Sequence, residues 1–147
     1  MRYLLDTNVI SELRKARTPA IDPGVSAWTD SVDAGDLFLS VITIMEIEKG
    51  IAQVARRDLA QAARLREWFE TAVLTEFSNR ILPFEADAAR YCARLHVPDK
   101  RSANDAIIAA IAWQHDMVLV TRNLKDFTGM GAQLVNPWEL TQRPCKN

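Results

Sequence analysis

Four acidic residues lie where predicted strands meet predicted helices, and together they could form a metal site. They are Asp6, Glu46, Asp105 and Asp126. Carboxylates that meet without a counter-charge repel one another and raise each other's pKa, so such a cluster normally holds a cation. Because no cysteine or histidine accompanies them, the expected ion is a hard one, Mg²⁺ or alternatively Mn²⁺.

A divalent ion held in this way would support the hydrolysis of a phosphate ester. One or two such ions can orient and deprotonate a water, bind a phosphate oxygen and stabilise the leaving oxygen. No protein nucleophile is then needed, and the sequence contains no G-x-S-x-G elbow, P-loop or G-x-G-x-x-G motif. The two histidines, His96 and His115, fall at predicted helix C-termini, where charge complementarity with the helix end explains them.

Each acid also has an ordinary structural explanation, and for Asp6 it is that acids occur where strands end. Glu46 and Asp105 stand three residues after Thr43 and Ser102, in the pattern of a capping box. Asp105, however, enters an almost wholly apolar helix, where an idle carboxylate would be unfavourable. Taken alone, Asp126 is explained equally well as a solvated loop acid.

The elements that position these acids are five short apolar runs that alternate with helical patterns. This alternation predicts a parallel sheet with helices on both faces, and it brings the carboxyl ends of the strands to one edge. Open sheets of this kind bind their ligands at that edge. The proline at position 83 predicts that its strand lies at the side of the sheet. The predicted strands cover residues 3–5, 37–41, 81–84, 117–121 and 133–135.

The helices are predicted from their start signals and from the spacing of apolar residues. Thr7 is the predicted N-cap of the first helix, and Thr43 is the predicted N-cap of the helix that carries Glu46. A short helix begins at Pro23. Further helical patterns cover residues 56–78 and 85–97, and residues 106–112 predict a helix in the centre of the fold.

Length and composition indicate one domain of ordinary globular type. The chain has 147 residues, of which 48% are hydrophobic and 25% charged, and we assign residues 1–140 to the domain and 141–147 to a polar tail. The net charge of −1 excludes the general positive field of many nucleic-acid binders. Cys92 and Cys145 are expected to be free thiols. With no secretory signal and no apolar run of about 20 residues, no membrane contact and a cytoplasmic location are expected.

Four blocks of the sequence together carry a resemblance to a known family. The blocks are LLDTNVISE from Leu4, TIMEIEKG from Thr43, NDAIIAA from Asn104 and LVTRN from Leu119. Together they resemble the PIN-domain ribonucleases, and most closely the VapC-type toxins of the FitB-like group. They follow the order expected of the family over residues 1 to 138. The resemblance implies a three-layer α/β fold of PIN type, with a twisted central parallel sheet flanked by helices. It also implies Mg²⁺-dependent cleavage of RNA, a homodimer, and neutralisation by a VapB-like antitoxin in a higher hetero-oligomer.

By this resemblance, Asp6, Glu46 and Asp105 fall on three metal-binding acids of the family. Thr7 falls on a position that helps to place the water or the metal. Two alternatives stay open for the fourth position, because many relatives have Thr-Arg-Asp where this chain has Thr-Arg-Asn. Either Asn123 is a neutral ligand, or Asp126 takes its place from one helical turn further on.

Arg101 and Arg122 each flank one of these blocks and are candidates for contacts with RNA phosphates. Asn123 also leaves open a degenerate PIN fold that only binds a partner. A third hypothesis is that the protein is a different Mg²⁺-dependent phosphohydrolase. The sequence does not encode which RNA is cleaved, or where.

Overall fold

A computed structural model of the chain describes residues 1–142, and its centre is a sheet of five parallel strands. The order across the sheet is β3-β2-β1-β4-β5, so the chain moves to one side from β1 and returns to the other side at β4. This order confirms the predicted parallel sheet and the position of β3 at its side. The strands are β1 Tyr3–Leu5, β2 Leu37–Ser40, β3 Ile81–Leu82, β4 Val118–Val120 and β5 Leu134–Val135.

Helices connect the strands and cover both faces of the sheet, which confirms the predicted three-layer architecture. Short 3₁₀-helices at Ala34–Asp36 and Pro137–Gln142 precede β2 and follow β5, respectively. A π-helix, Phe69–Val73, joins α4 to α5. The α-helices are α1 Thr7–Leu13, α2 Pro23–Asp30, α3 Val41–Ala55, α4 Leu59–Trp68, α5 Leu74–Glu76, α6 Ala86–Leu95, α7 Ala103–Gln114 and α8 Leu124–Phe127.

Neighbouring residues of the central strands belong to opposite faces of the sheet and therefore to two separate cores. Leu4 and Leu119 pack in the core formed with α6, α7 and α8. Leu5 and Val120 pack in the core formed with α1, α3 and α4. Because side chains alternate along a strand, each central strand holds both helical layers in place.

The helix that was predicted to lie in the centre of the fold is buried almost all round. In α7, Ala106 and every residue from Ile108 to Ala112 are fully buried. Since α7 carries Asp105 in its first turn, this burial fixes the depth at which that carboxylate enters the site.

Two predicted helix N-caps are wrong, and in both cases the N-cap lies earlier in the chain than predicted. Asp6, not Thr7, is the N-cap of α1, and Ser40, not Thr43, is the N-cap of α3, where its hydroxyl accepts from the Thr43 N–H at 3.3 Å. In both places the helix follows the strand with at most one residue between. The polar residue at each strand–helix junction therefore caps the helix.

Other features agree with the sequence or extend it. His96 and His115 end α6 and α7 as predicted, and Nδ1 of His96 also accepts the Arg101 N–H at 3.1 Å. Cys92 is a buried free thiol, whereas Cys145 lies outside the described residues. The last 3₁₀-helix reaches Gln142, and the rest of the predicted tail lies beyond the described part. Within the described part, no helix is long and apolar enough to span a membrane.

Candidate active site

A polar cavity of about 950 Å³ opens at the carboxyl ends of the strands, and the four predicted acids all line it. We call Asp6, Glu46, Asp105 and Asp126 the cavity acids. The cavity lies beside the junction of β1 and β4, where the order of the strands reverses, which is the usual ligand site of an open α/β sheet. Its other lining residues include Thr7, Asn8, Ser11, Glu12, Arg14, Lys15, Asn104, Arg122, Asn123 and Trp138.

Asp6 is the most buried of the cavity acids, with 6% of its surface exposed. Its Oδ1 accepts from the Thr7 N–H at 2.8 Å, and its Oδ2 accepts from the Thr121 hydroxyl at 2.8 Å and from Asn8 Nδ2 at 3.2 Å. Burial raises the pKa of Asp6 above its ordinary 3.8, and the charge of Asp126 acts in the same direction against these hydrogen bonds. Asp6 is thus held in one orientation by three donors.

Glu46 lies in the second turn of α3 and reaches across to the start of α1. The Thr7 hydroxyl donates to Glu46 Oε1 at 3.0 Å, and the Thr7 and Thr43 hydroxyl oxygens are 3.1 Å apart. Partial burial raises the pKa of Glu46, and Asp6 and Asp105 add to the rise through their charges. Thr7 therefore connects two of the cavity acids, since its backbone binds Asp6 and its side chain binds Glu46.

Asp105 lies in the first turn of α7 and is half-buried at the cavity. Burial raises its pKa above the ordinary 3.8, and the charges of Asp6 and Asp126 raise it further, while a hydrogen bond with the Ser102 side chain lowers it. Ser102 is the N-cap of α7, as predicted, but its side chain makes no capping hydrogen bond to the helix backbone. The position of Asp105 thus follows from the burial of α7 rather than from a capping box.

The two candidates for the fourth position both line the cavity, and the structure places them differently. Asn123 is exposed at the N-cap position of α8, and its N–H donates to the Thr121 hydroxyl at 3.0 Å. Asp126 is exposed in α8, yet its charge raises the pKa of both Asp6 and Asp105. Asp126 is therefore the one of the two that takes part in the electrostatics of the cavity acids.

The donors of this cavity suit a hard divalent cation. They are carboxylate oxygens, and burial together with mutual repulsion raises the pKa values of Asp6, Glu46 and Asp105; a divalent ion would offset that repulsion. Within residues 1–142, no three acidic, histidine or cysteine side chains already surround one point closely enough to hold an ion. The donor types thus fit Mg²⁺ or Mn²⁺, and side chains must turn inward for several carboxylates to share it.

Two residues that position Asp6 were not recognised as site residues from the sequence. Thr121 is fully buried and joins the end of β4 to Asp6, while Asn8 donates to Asp6 and accepts from the Arg122 N–H at 3.3 Å. The sequence does show that Thr121 is a polar residue at the end of an otherwise apolar predicted strand, and this pattern could have marked it as a site residue. Its partner was hidden because β1 and β4 are neighbours only in the folded sheet.

The two predicted RNA-binding arginines lie in different places. Arg122 lines the cavity, with its guanidinium carbon 5.4 Å from the centre of the Trp138 ring. Arg101 does not line it; its Nη2 donates to the Thr128 carbonyl at 2.6 Å, in a separate depression beside α6. Of the pair, only Arg122 lines the cavity that holds the acids.

Comparisons with known proteins agree with this arrangement. The sequence profile described as PIN domain matches residues 3–130. The VapC ribonuclease Y4jK of Sinorhizobium fredii is 38% identical over 144 residues, which cover 92% of this chain and 97% of that protein. Toxin FitB of Neisseria gonorrhoeae is 36% identical over 140 residues, with coverage of 92% and 97%. The structure of FitAB bound to an IR36 DNA fragment contains a chain with a TM-score of 0.82 and 36% identity, covering 94% of this chain and 96% of that one.

Proposed function

Because the chain belongs to the PIN-domain family, and within it to the VapC- and FitB-type toxins, we propose that it is a Mg²⁺-dependent endoribonuclease toxin. The observation that carries the proposal is the set of four cavity acids at the carboxyl edge of the sheet. Mn²⁺ is the alternative ion, because it accepts the same oxygen ligands. The expected location is the cytoplasm.

The proposed reaction is the hydrolysis of an RNA phosphodiester by water. A divalent ion bound by Asp6, Glu46 and Asp105 would activate the water and neutralise charge on the phosphate. In the protein itself, Thr121, Asn8 and the Thr7 N–H fix the Asp6 carboxylate. The Thr7 hydroxyl fixes Glu46. These contacts hold two ligands in place before the ion binds, which lowers the reorganisation that binding requires. Asp126 is the proposed fourth acid, with Asn123 as the alternative.

We also propose that a VapB-like antitoxin neutralises the protein. The similar protein FitB is named a toxin, and a similar chain is part of the FitAB structure with DNA. A cavity lined by four acids favours a basic side chain of the antitoxin as the inhibiting group, because the charges are complementary. The proposed assembly is a homodimer that forms a larger hetero-oligomer with the antitoxin.

Cleavage of RNA by the purified protein tests the catalytic proposal. We expect Mg²⁺ to support cleavage, EDTA to abolish it, and Asp105→Asn to reduce it more than about a hundredfold, because a metal ligand is lost. Asp87→Asn is the matched control, since Asp87 is also an acid in the first turn of a helix but does not line the cavity. Full activity of Asp105→Asn, or activity that survives EDTA, would contradict the mechanism.

A role in binding without catalysis is the second candidate. It is favoured by the neutral Asn123 and by the separation of the acidic side chains in the described region. In that case the wild-type protein would bind its antitoxin but would not cut RNA with either Mg²⁺ or Mn²⁺. A related phosphohydrolase would instead release phosphate from small esters and leave RNA intact.

A further inference from the structure

Arg122 and Trp138 form a pair that lines the cavity but has no role in the proposed hydrolysis step. Both line the cavity, and the Arg122 guanidinium lies over the Trp138 ring, 5.4 Å from its centre. Trp138 is partly buried and packs against the core formed by α1, α3 and α4. Arg122 is exposed. The tryptophan thus connects the core to a charged group at the cavity surface.

The backbone around Arg122 is fixed on both sides. Its N–H donates to Asn8 Oδ1 at 3.3 Å, and its carbonyl accepts from Asn136 Nδ2 at 3.2 Å. The Oδ1 of the same Asn136 accepts from the Trp138 N–H at 3.0 Å. One asparagine therefore links the arginine and the tryptophan through their main chains, and Asn8 links the arginine to Asp6. This network holds Arg122 in a defined place relative to the cavity acids.

Within the described part of the chain, the Arg122 side chain acts on Glu12 through its charge alone, without a hydrogen bond. Among residues 1–142, its guanidinium makes no ion pair and no hydrogen bond, although acids line the same cavity. Arg66 and Arg80, by contrast, are paired with glutamates. A guanidinium held over the face of an aromatic ring can still offer its N–H edge for two parallel hydrogen bonds, which is the geometry that phosphate accepts.

We propose that Arg122 binds a phosphate of the RNA other than the one that is cleaved, and that Trp138 is the positioning residue that holds its guanidinium. The cavity then has two functions along one RNA strand, with cleavage at the acids and strand binding at Arg122. Arg14 and Lys15 line the same cavity and add positive charge, although Lys15 is engaged with Glu12 at 3.2 Å. This inference rests on the proposed ribonuclease function.

The test measures the binding of a short single-stranded RNA by fluorescence anisotropy, in the Asp105→Asn background so that the RNA stays intact. We expect Arg122→Gln to weaken binding about three- to tenfold. The slope of log affinity against log salt should also become shallower by about 0.7, the value for one lost phosphate contact on a single strand. Arg94→Gln is the matched control, because Arg94 also lies over an aromatic ring, Tyr91, at 6.0 Å but does not line the cavity. It should change neither quantity.

Variants of Trp138 test the positioning role. Trp138→Leu should weaken binding to about the level of Arg122→Gln, and the double variant should be no weaker, because both changes remove one interaction. Trp138→Phe should retain most of the affinity, since a phenyl ring still attracts a cation. If the two single effects multiply in the double variant, Trp138 does not act through Arg122.

Arg122→Lys gives a second test that leaves the core intact, should Trp138→Leu fail to fold. Lysine keeps the charge but lacks the planar fork, so we expect the wild-type salt slope with weaker binding. Equal affinity of the lysine and arginine proteins would refute a bidentate contact of the guanidinium with phosphate.

Two further outcomes separate this inference from its premise. RNA cleavage by the wild type together with an unchanged salt slope in Arg122→Gln would overturn the inference alone. A wild type that neither binds nor cuts RNA would overturn the proposed function itself. If Arg122→Gln weakens antitoxin binding but not RNA binding, the site belongs to a protein partner instead.

Discussion

Replacing Asp105 by asparagine should make the protein more stable without metal and less responsive to metal. The pKa of Asp105 is raised by partial burial and by the charges of Asp6 and Asp126, so its ionised form is unfavourable in the fold. The residue is half-exposed, and solvent screens both effects. We therefore expect Asp105→Asn to raise the free energy of unfolding by only about 0.5–1.5 kcal/mol in EDTA. For a domain of this size that corresponds to an increase of about 1–5 °C in Tm.

Mg²⁺ should stabilise the wild type much more than it stabilises Asp105→Asn. At about a hundred times its dissociation constant, a ligand specific for the folded state stabilises it by about 2.7 kcal/mol, or about 5–10 °C. The wild type should show this shift, whereas Asp105→Asn should show little of it at the same concentration. Thermal unfolding followed by circular dichroism, with EDTA and with Mg²⁺, measures both quantities.

Asp87→Asn again serves as the control, because Asp87 is exposed and lies outside the cavity. It should leave both the Tm in EDTA and the shift with Mg²⁺ unchanged. The reasoning would be refuted if Asp105→Asn lowered the Tm in EDTA, or if it kept the full shift with Mg²⁺. The first result would mean that the carboxylate stabilises the fold, and the second that it does not bind the ion.

Two other properties follow from the structure. Because the folded-state pKa of Asp105 is raised, its ionisation destabilises the fold above that pKa. The difference in free energy of unfolding between wild type and Asp105→Asn should therefore shrink as pH falls from neutral toward 3.8. Urea titrations at several pH values would measure this difference, and a constant value would contradict the raised pKa. Gly131 and Gly129 both have positive φ, at 82° and 79°, but a Cβ at Gly131 would collide with the Tyr91 hydroxyl. Gly129→Ala should therefore cost about 1–2 kcal/mol and Gly131→Ala about 2–4 kcal/mol, and equal losses in urea unfolding would disprove the collision.

Local patterns were sufficient to predict most of the sheet, because its strands are short apolar runs between helices. The buried α7 was equally clear, since a helix that is apolar all round has no face to present to water. The four acids could be assigned to one edge by the rules for parallel sheets alone. These parts of the fold depend on residue type and sequence spacing, which the sequence displays directly.

The parts that were missed depend on contacts between distant segments or on junctions without loops. Thr121 binds Asp6 only because β1 and β4 pair side by side. The apolar run predicts a strand that continues through Ser40 to residue 41, so the role of Ser40 as a helix cap is hidden, because α3 begins at the next residue. The Trp138 ring meets Arg122 across a separation of sixteen positions, bridged by the side chain of Asn136.

The π-helix Phe69–Val73 holds one residue more than an ordinary helical turn would need. Its wider turn places both Phe69 and Val73 in the core, and α5 then delivers Phe77 to the same core. Because a π-helix turns by roughly 80° per residue and an α-helix by about 100°, four α-helical residues turn the chain about as far as five π-helical ones. Loss of one exposed residue such as Thr71 would therefore restore α-helical winding and leave Phe77 facing the same core. In homologous toxins, we expect this segment to tolerate the loss of one residue but not of two, because a second loss would rotate Phe77 away from the core by about 100°.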